Sequence, residues 1–131
     1  MKSLITALAL LASVIIAHAE TYRVIDGDTF VLGQERIRLK GPDAPELRSS
    51  RCLAERRMAR KATIRLGELL MHEPIRIQRD GIDRYGRTLA YVYTADDQEV
   101  GEVLVAEGLA VKWKPGRAAW AERAKYWCGK E

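Results

Sequence analysis

Between residues 21 and 41 the chain reads as short β-rich runs broken by turns, and beyond it the apolar positions fall into a longer period. In "TYRVIDGDTFVL" (21–32) two β-rich runs flank an Asp-Gly pair, which predicts a strand, a tight turn and a second strand. "ERIRLKG" (35–41) alternates cleanly, with Ile37 and Leu39 on one face and Arg36, Arg38 and Lys40 on the other, until Gly41-Pro42 ends the strand. From Leu53 to Leu70 the period becomes helical. Cys52, Ala59, Ala62, Leu66 and Leu69 share one stripe, and Arg56, Arg57, Arg60, Lys61 and Arg65 form a solvated basic face. That helix must stop before Pro74, which disfavours helix in the preceding residue. "PIRIQRD" and "RTLAYVYT" predict two more strands joined through "GIDRYG". "EVLVAEGLA" predicts a short helix capped by Gly108, and "RAAWAERAKYWC" a last helix whose Trp120 and Trp127 are expected in the core.

The order is three strands, a helix, two strands and then helices, with no internal repeat or linker. It predicts an α+β domain whose five short strands close into a barrel, about three helices packing on it. A helix between the third and fourth strands is the order of an OB-fold barrel. The first residues stand apart. Met1-Lys2, an apolar run from Leu4 to Ile16 and the small-x-small triplet Ala17-His18-Ala19 have the layout of a cleaved secretory signal peptide over 1–19, with the domain over 20–131. A membrane anchor is the rival, but the run is shorter than the ~20 residues that span a bilayer.

The 131 residues carry 22 Lys and Arg against 18 Asp and Glu, a net charge of +4, which falls by one if Lys2 is removed. Such a mild excess permits nucleic-acid binding without demanding it. An exported chain meets an oxidising space, so Cys52 and Cys128 are expected to pair. The bridge would close a loop of roughly 77 residues, stabilising by about 4.5 kcal/mol in the chain-entropy model. The alternative is two separate buried thiols.

The candidate chemistry lies in three short stretches. "RIRLKGPDAPE" sets a row of cations beside Asp43 and Glu46, "IDGDT" holds Asp26 and Asp28, and "DRYGR" holds Asp83, Tyr85 and Arg87. Hard divalent cations take oxygen ligands, and Asp28 and Asp43 are placed to share one across a barrel mouth, with a backbone carbonyl such as that of Ala44. His72 has no His or Cys cluster around it, which disfavours zinc. Arg38 and Arg87 suit a phosphate held beside the ion, since a guanidinium binds phosphate oxygens bidentately. Glu46, left outside the ion's ligands, suits a base that takes a proton from water.

"VIDGDTFVL", "RIRLKGPDAPE", "DRYGRTLAYVY" and "EVLVAEGLAVKWKP", in this order, resemble the staphylococcal nuclease family over essentially the whole chain after residue 19. The resemblance implies an OB-fold barrel with packed helices. It also implies a monomeric, calcium-dependent phosphodiesterase that acts on DNA and RNA, single strands favoured, and leaves a 3′-phosphate and a 5′-hydroxyl. Asp28 and Asp43 then look like the calcium carboxylates, with Ala44 offering its carbonyl. Glu46 looks like the base or water-orienting residue, Arg38 and Arg87 like the phosphate clamp, and Tyr85 like a residue beside the nucleotide. Asp26 matches an acid near the ion but outside its ligands. Two departures stand out. The family's tyrosine pair after "GLA" reads Val111 and Trp113 here, and only Trp113 can stack on a base. The segment from Glu46 to the helix is also shorter.

Each stretch alone has a plainer reading. Asp26-Gly27-Asp28 is a hairpin turn, Arg36 and Lys40 are a solvated strand face, and Asp83 with Arg87 is an ion pair around a turn. The residues therefore carry rival functions: an exported nuclease, secreted or periplasmic, a non-catalytic OB-fold module that binds nucleic acid, or a domain of this fold used for protein contacts. Calcium itself rests on the resemblance, because carboxylates also suit magnesium or manganese.

Overall fold

The computed structural model describes residues 21–129. The expected signal segment, 1–19, lies outside the described residues.

β1 (Tyr22–Asp26), β2 (Thr29–Leu32) and β3 (Glu35–Leu39) form an antiparallel meander. β4 (Pro42–Asp43) follows, then α1 (Leu53–Leu70), β5 (Arg76–Ile82), β6 (Thr88–Tyr93), α2 (Val100–Ala106), β7 (Val111–Lys112) and α3 (Arg117–Cys128). The main sheet has the order β1-β2-β3-β6-β5, with β3 and β6 parallel, which is the strand order of an OB fold. β4 and β7 form a separate two-stranded ladder in which Pro42 pairs Lys112 and Asp43 pairs Val111. Sequence periodicity missed this ladder because two residues are too few to alternate.

The alternation in β3 is realised. Ile37 and Leu39 are fully buried beside Phe30, Ala90, Val92, Leu66 and Leu70, while Arg36 is exposed. α1 lays its stripe of Ala59, Ala62, Leu66 and Leu69 on this core. Its small residues allow close approach. A methyl group at Gly27, in the β1–β2 turn, would lie 2.5 Å from the Ala62 Cβ and 2.8 Å from the Ala44 Cβ. Gly27 therefore serves backbone approach; it is not among the glycines of positive φ. Gly108, at φ 72°, does take the left-handed turn that ends α2.

α3 is held differently. It buries only Ala119 and Trp127. Trp120, expected in the core, is 56% exposed. The face of α3 that meets α1 is narrow, and Trp120 lies at its edge, where Arg51 stacks 5.0 Å from the ring centroid and donates to the Trp120 carbonyl. The helix is also fastened covalently. Cys52, the N-cap of α1, and Cys128, the last residue of α3, form a disulfide with Cα atoms 5.9 Å apart.

Candidate active site

The first turn of the meander brings Asp28 under the end of β3. Asp28 accepts the Leu39 N–H on its carbonyl at 2.8 Å, which locks the turn to the strand. Its carboxylate accepts from the Thr29 hydroxyl at 3.0 Å, from the Ala44 N–H at 2.9 Å and from Arg38 Nη2 at 3.3 Å. The Arg38 side chain bends toward the β4 turn, where Nη1 donates to the carbonyls of Leu39 (2.6 Å) and Pro42 (3.1 Å). Its Nη2 also reaches Asp43 Oδ1 at 3.3 Å, so one guanidinium nitrogen bridges the two carboxylates. The other Asp43 oxygen pairs with Arg123 Nε, from α3. Ala44 is buried and meets the cluster through its N–H.

The remaining acids crowd the same corner. Asp26 accepts the Asp28 N–H at 3.3 Å. Burial, then the Asp28 charge, pushes the Asp26 carboxyl up to about 7. Asp43 is also raised, by burial first, with Arg123 and Arg38 opposing and Asp28 adding to the rise. Glu46 is exposed, yet partial loss of hydration, then repulsion from Asp28, Asp43 and Glu55, raises its carboxyl above the usual range. The loop that carries Glu46 is anchored from behind. Buried Glu55 accepts the Glu46 N–H (3.3 Å), the Arg51 N–H (2.7 Å) and two bonds from the Arg51 guanidinium (3.0 and 2.6 Å). Arg51, Glu55 and Arg123 carry no local signature in the sequence: Arg51 reads as a loop cation, Glu55 and Arg123 as helix-surface charges, and only the fold brings them to Asp43 or Glu46.

A cleft of about 580 Å³ opens beside this corner. Arg38, Arg87, Tyr85 and Trp113 all line it, with Lys40 and Leu89. Arg87 is held by Asp83, whose Oδ2 accepts from Nε at 2.7 Å, so the ion pair around the turn exists inside the cleft wall. Tyr85 is 66% exposed and lies between two guanidiniums, Arg84 at 4.9 Å and Arg87 at 5.4 Å from its ring centroid. Trp113 is 53% exposed, fixed by its N–H to the Gly41 carbonyl at 2.8 Å. Val111 faces away from this cleft, into a separate groove.

The donor set suits a hard cation. Asp28 and Asp43 offer oxygens from two elements, and the crowded acids are raised in a way that a bound cation would relieve. The carboxylates are not drawn together as a closed cage. Among the described residues, the one trio of ligand-type side chains within 4.8 Å is Cys52, Glu55 and Cys128, and its sulfurs are bonded to each other.

The family model for staphylococcal nuclease homologues matches residues 36–126, which include β3, β4, the cleft and Arg123. A micrococcal nuclease of Shigella flexneri is 30% identical over 94% of this chain and 74% of its own length. A thermonuclease of Staphylococcus intermedius is 38% identical over 67% of the chain and 55% of its own length. A succinoglycan biosynthesis protein of Rhizobium meliloti (strain 1021) is equally similar, 38% over 67% of the chain, which spans 48% of that relative. The chain thus spans only about half the length of two of these relatives. The family match takes in Asp43, Glu46 and both arginines of the cleft, and the chain belongs to the staphylococcal nuclease homologue family.

Proposed function

We propose that the chain is a metal-dependent nuclease that hydrolyses phosphodiester bonds of DNA or RNA, with calcium as the ion and single strands preferred. One observation carries the reading: two arginines and two exposed aromatics share a cleft, and one of those arginines also touches both Asp28 and Asp43. Cations, stacking surfaces and carboxylates are needed together for cutting a strand, whereas binding needs only the first two.

Asp28 and Asp43 hold the ion, with the Ala44 carbonyl as a further ligand. The ion supplies charge neutralisation at the phosphate. Arg38 and Arg87 sit on carboxylates before substrate arrives, and a phosphate offers each a bidentate partner. Tyr85 and Trp113 stack on bases next to the scissile phosphate. Glu46 orients a water and takes its proton, a task helped by a carboxyl raised toward the working pH. The water oxygen bonds to phosphorus, the bond to the 5′ oxygen breaks and that oxygen takes a proton from solvent water, leaving a 3′-phosphate and a 5′-hydroxyl. A monomer acting in the periplasm or the medium fits the disulfide.

The test is cleavage of single-stranded DNA with calcium, with magnesium and with chelator, beside Glu46→Ala and Arg87→Ala. Cutting that needs calcium and falls by about 10²–10⁴-fold in each variant is the expected result. Tight binding without cutting under any of these conditions would replace the nuclease by a binding module.

A further inference from the structure

The cleft is one of two cavities that each have a wall arginine bonded to Asp43. The second is a groove of about 290 Å³ between β7 and α3, lined by Val111, Lys112, Lys114, Arg123 and Tyr126, with Ala119 and Glu122. The chain after β7 separates the two. Val111, Lys112 and Lys114 face the groove, while Trp113, Pro115 and Gly116 face the cleft. Asp43 is gripped from both sides: Arg38, from the cleft wall, holds one oxygen, and Arg123, from the groove wall, holds the other.

We propose that this groove is a second strand-binding subsite, which receives the nucleotides on the other flank of the phosphate at Asp43. The inference rests on the nuclease reading and specifies its substrate as a continuous single strand running through both cavities. The groove has what a single strand needs, cations along a track and an aromatic face. The Lys112 ammonium has no carboxylate within ion-pair distance among the described residues. That of Lys114 has only Glu122, at a loose 3.9 Å. Arg123 is fixed by its bond to the Lys114 carbonyl at 3.2 Å as well as by Asp43, so it shapes the floor. Tyr126 is 40% exposed, and its ring is braced edge-on against Trp127 with centroids 4.7 Å apart. It provides on α3 an aromatic surface on the side where position 111 is a valine. Glu122 is the one acid of the groove, and Lys114 offsets it.

A site with one cavity grips one side of the phosphate and favours chain ends; two cavities grip both sides and favour cutting within a strand. The experiment measures fluorescence anisotropy of labelled dithymidylate and octathymidylate on the full chain, in calcium with Glu46→Ala to stop turnover. It is repeated with Lys112→Ala/Lys114→Ala and with Tyr126→Ala added. These residues are on the surface, and circular dichroism checks that each variant is folded. The octamer is expected to bind more tightly than the dimer. Tyr126→Ala should weaken the octamer about tenfold and the dimer little. The double lysine variant should lower the salt slope for the octamer by about 1.4. Equal losses for dimer and octamer, or no loss for either, would overturn the second subsite while leaving the nuclease reading standing. Failure of both oligonucleotides to bind the protein with its groove unsubstituted would overturn both.

Discussion

At the residue scale, Glu55 shows how much of the site rests on one buried acid. It is fully buried, and burial pushes its carboxyl up. The Arg51 side chain, the Arg51 N–H and the Glu46 N–H outweigh that and hold it below its ordinary 4.5. A carboxyl whose folded value is depressed adds stability above its unfolded value and loses it as pH falls through the folded value. Glu55→Gln should therefore cost about 2–3 kcal/mol at neutral pH, the low end for a buried pair because Arg51 keeps some water. Denaturant titrations should show this gap closing as the pH drops below about 4.5. A gap that holds constant down to acid would mean that Glu55 contributes packing alone. In the sequence Glu55 is an ordinary first-turn acid, and nothing local marks it as buried. Asp28, Asp43 and Arg38 were legible because turn and strand chemistry places them. Arg123 was not, since its partner Asp43 lies 80 positions away.

At the scale of elements, two contacts set the site's shape. The first is the seat of the β1–β2 turn on α1. Alanine at Gly27 would push a methyl against Ala62 and Ala44, the residue whose N–H holds Asp28. Gly27→Ala should destabilise by about 1–3 kcal/mol, the usual cost of overpacking, and lower the melting temperature to match. The second is the attachment of α3. With only Ala119 and Trp127 buried, the helix depends on its disulfide, its Arg51 contacts and the Arg123–Asp43 pair. Reduction should remove up to about 4.5 kcal/mol and raise hydrogen exchange first in residues 117–128. An unchanged melting curve in reductant would show that packing alone seats α3. The cysteine pair was legible from its even count and the expectation of an oxidising space. The exposure of Trp120 was not, because a helical spacing of aromatics says nothing about how wide a face the neighbouring helix covers.

At the scale of the whole molecule, the OB strand order was legible because each main strand runs over four or more residues between turn signals and the helix falls between the third and fourth of them. The β4–β7 ladder, which carries Asp43, is too short to leave a pattern. On the proposed reading, that ladder makes cation binding a property of the entire fold. Asp28 comes from the first hairpin, Asp43 from β4, and Asp43 is tied through Arg123 to the last helix. An ion held by both carboxylates binds the folded chain and not the unfolded one, so it must stabilise the whole domain. At a hundredfold excess over its dissociation constant the gain is about 2.7 kcal/mol, a rise in melting temperature on the order of ten degrees for a domain of this size. Asp28→Asn should abolish that rise, and Asp43→Asn should do the same. A rise that persists in both variants would place the ion elsewhere on the molecule and free Asp28 and Asp43 for a purely structural grip on Arg38.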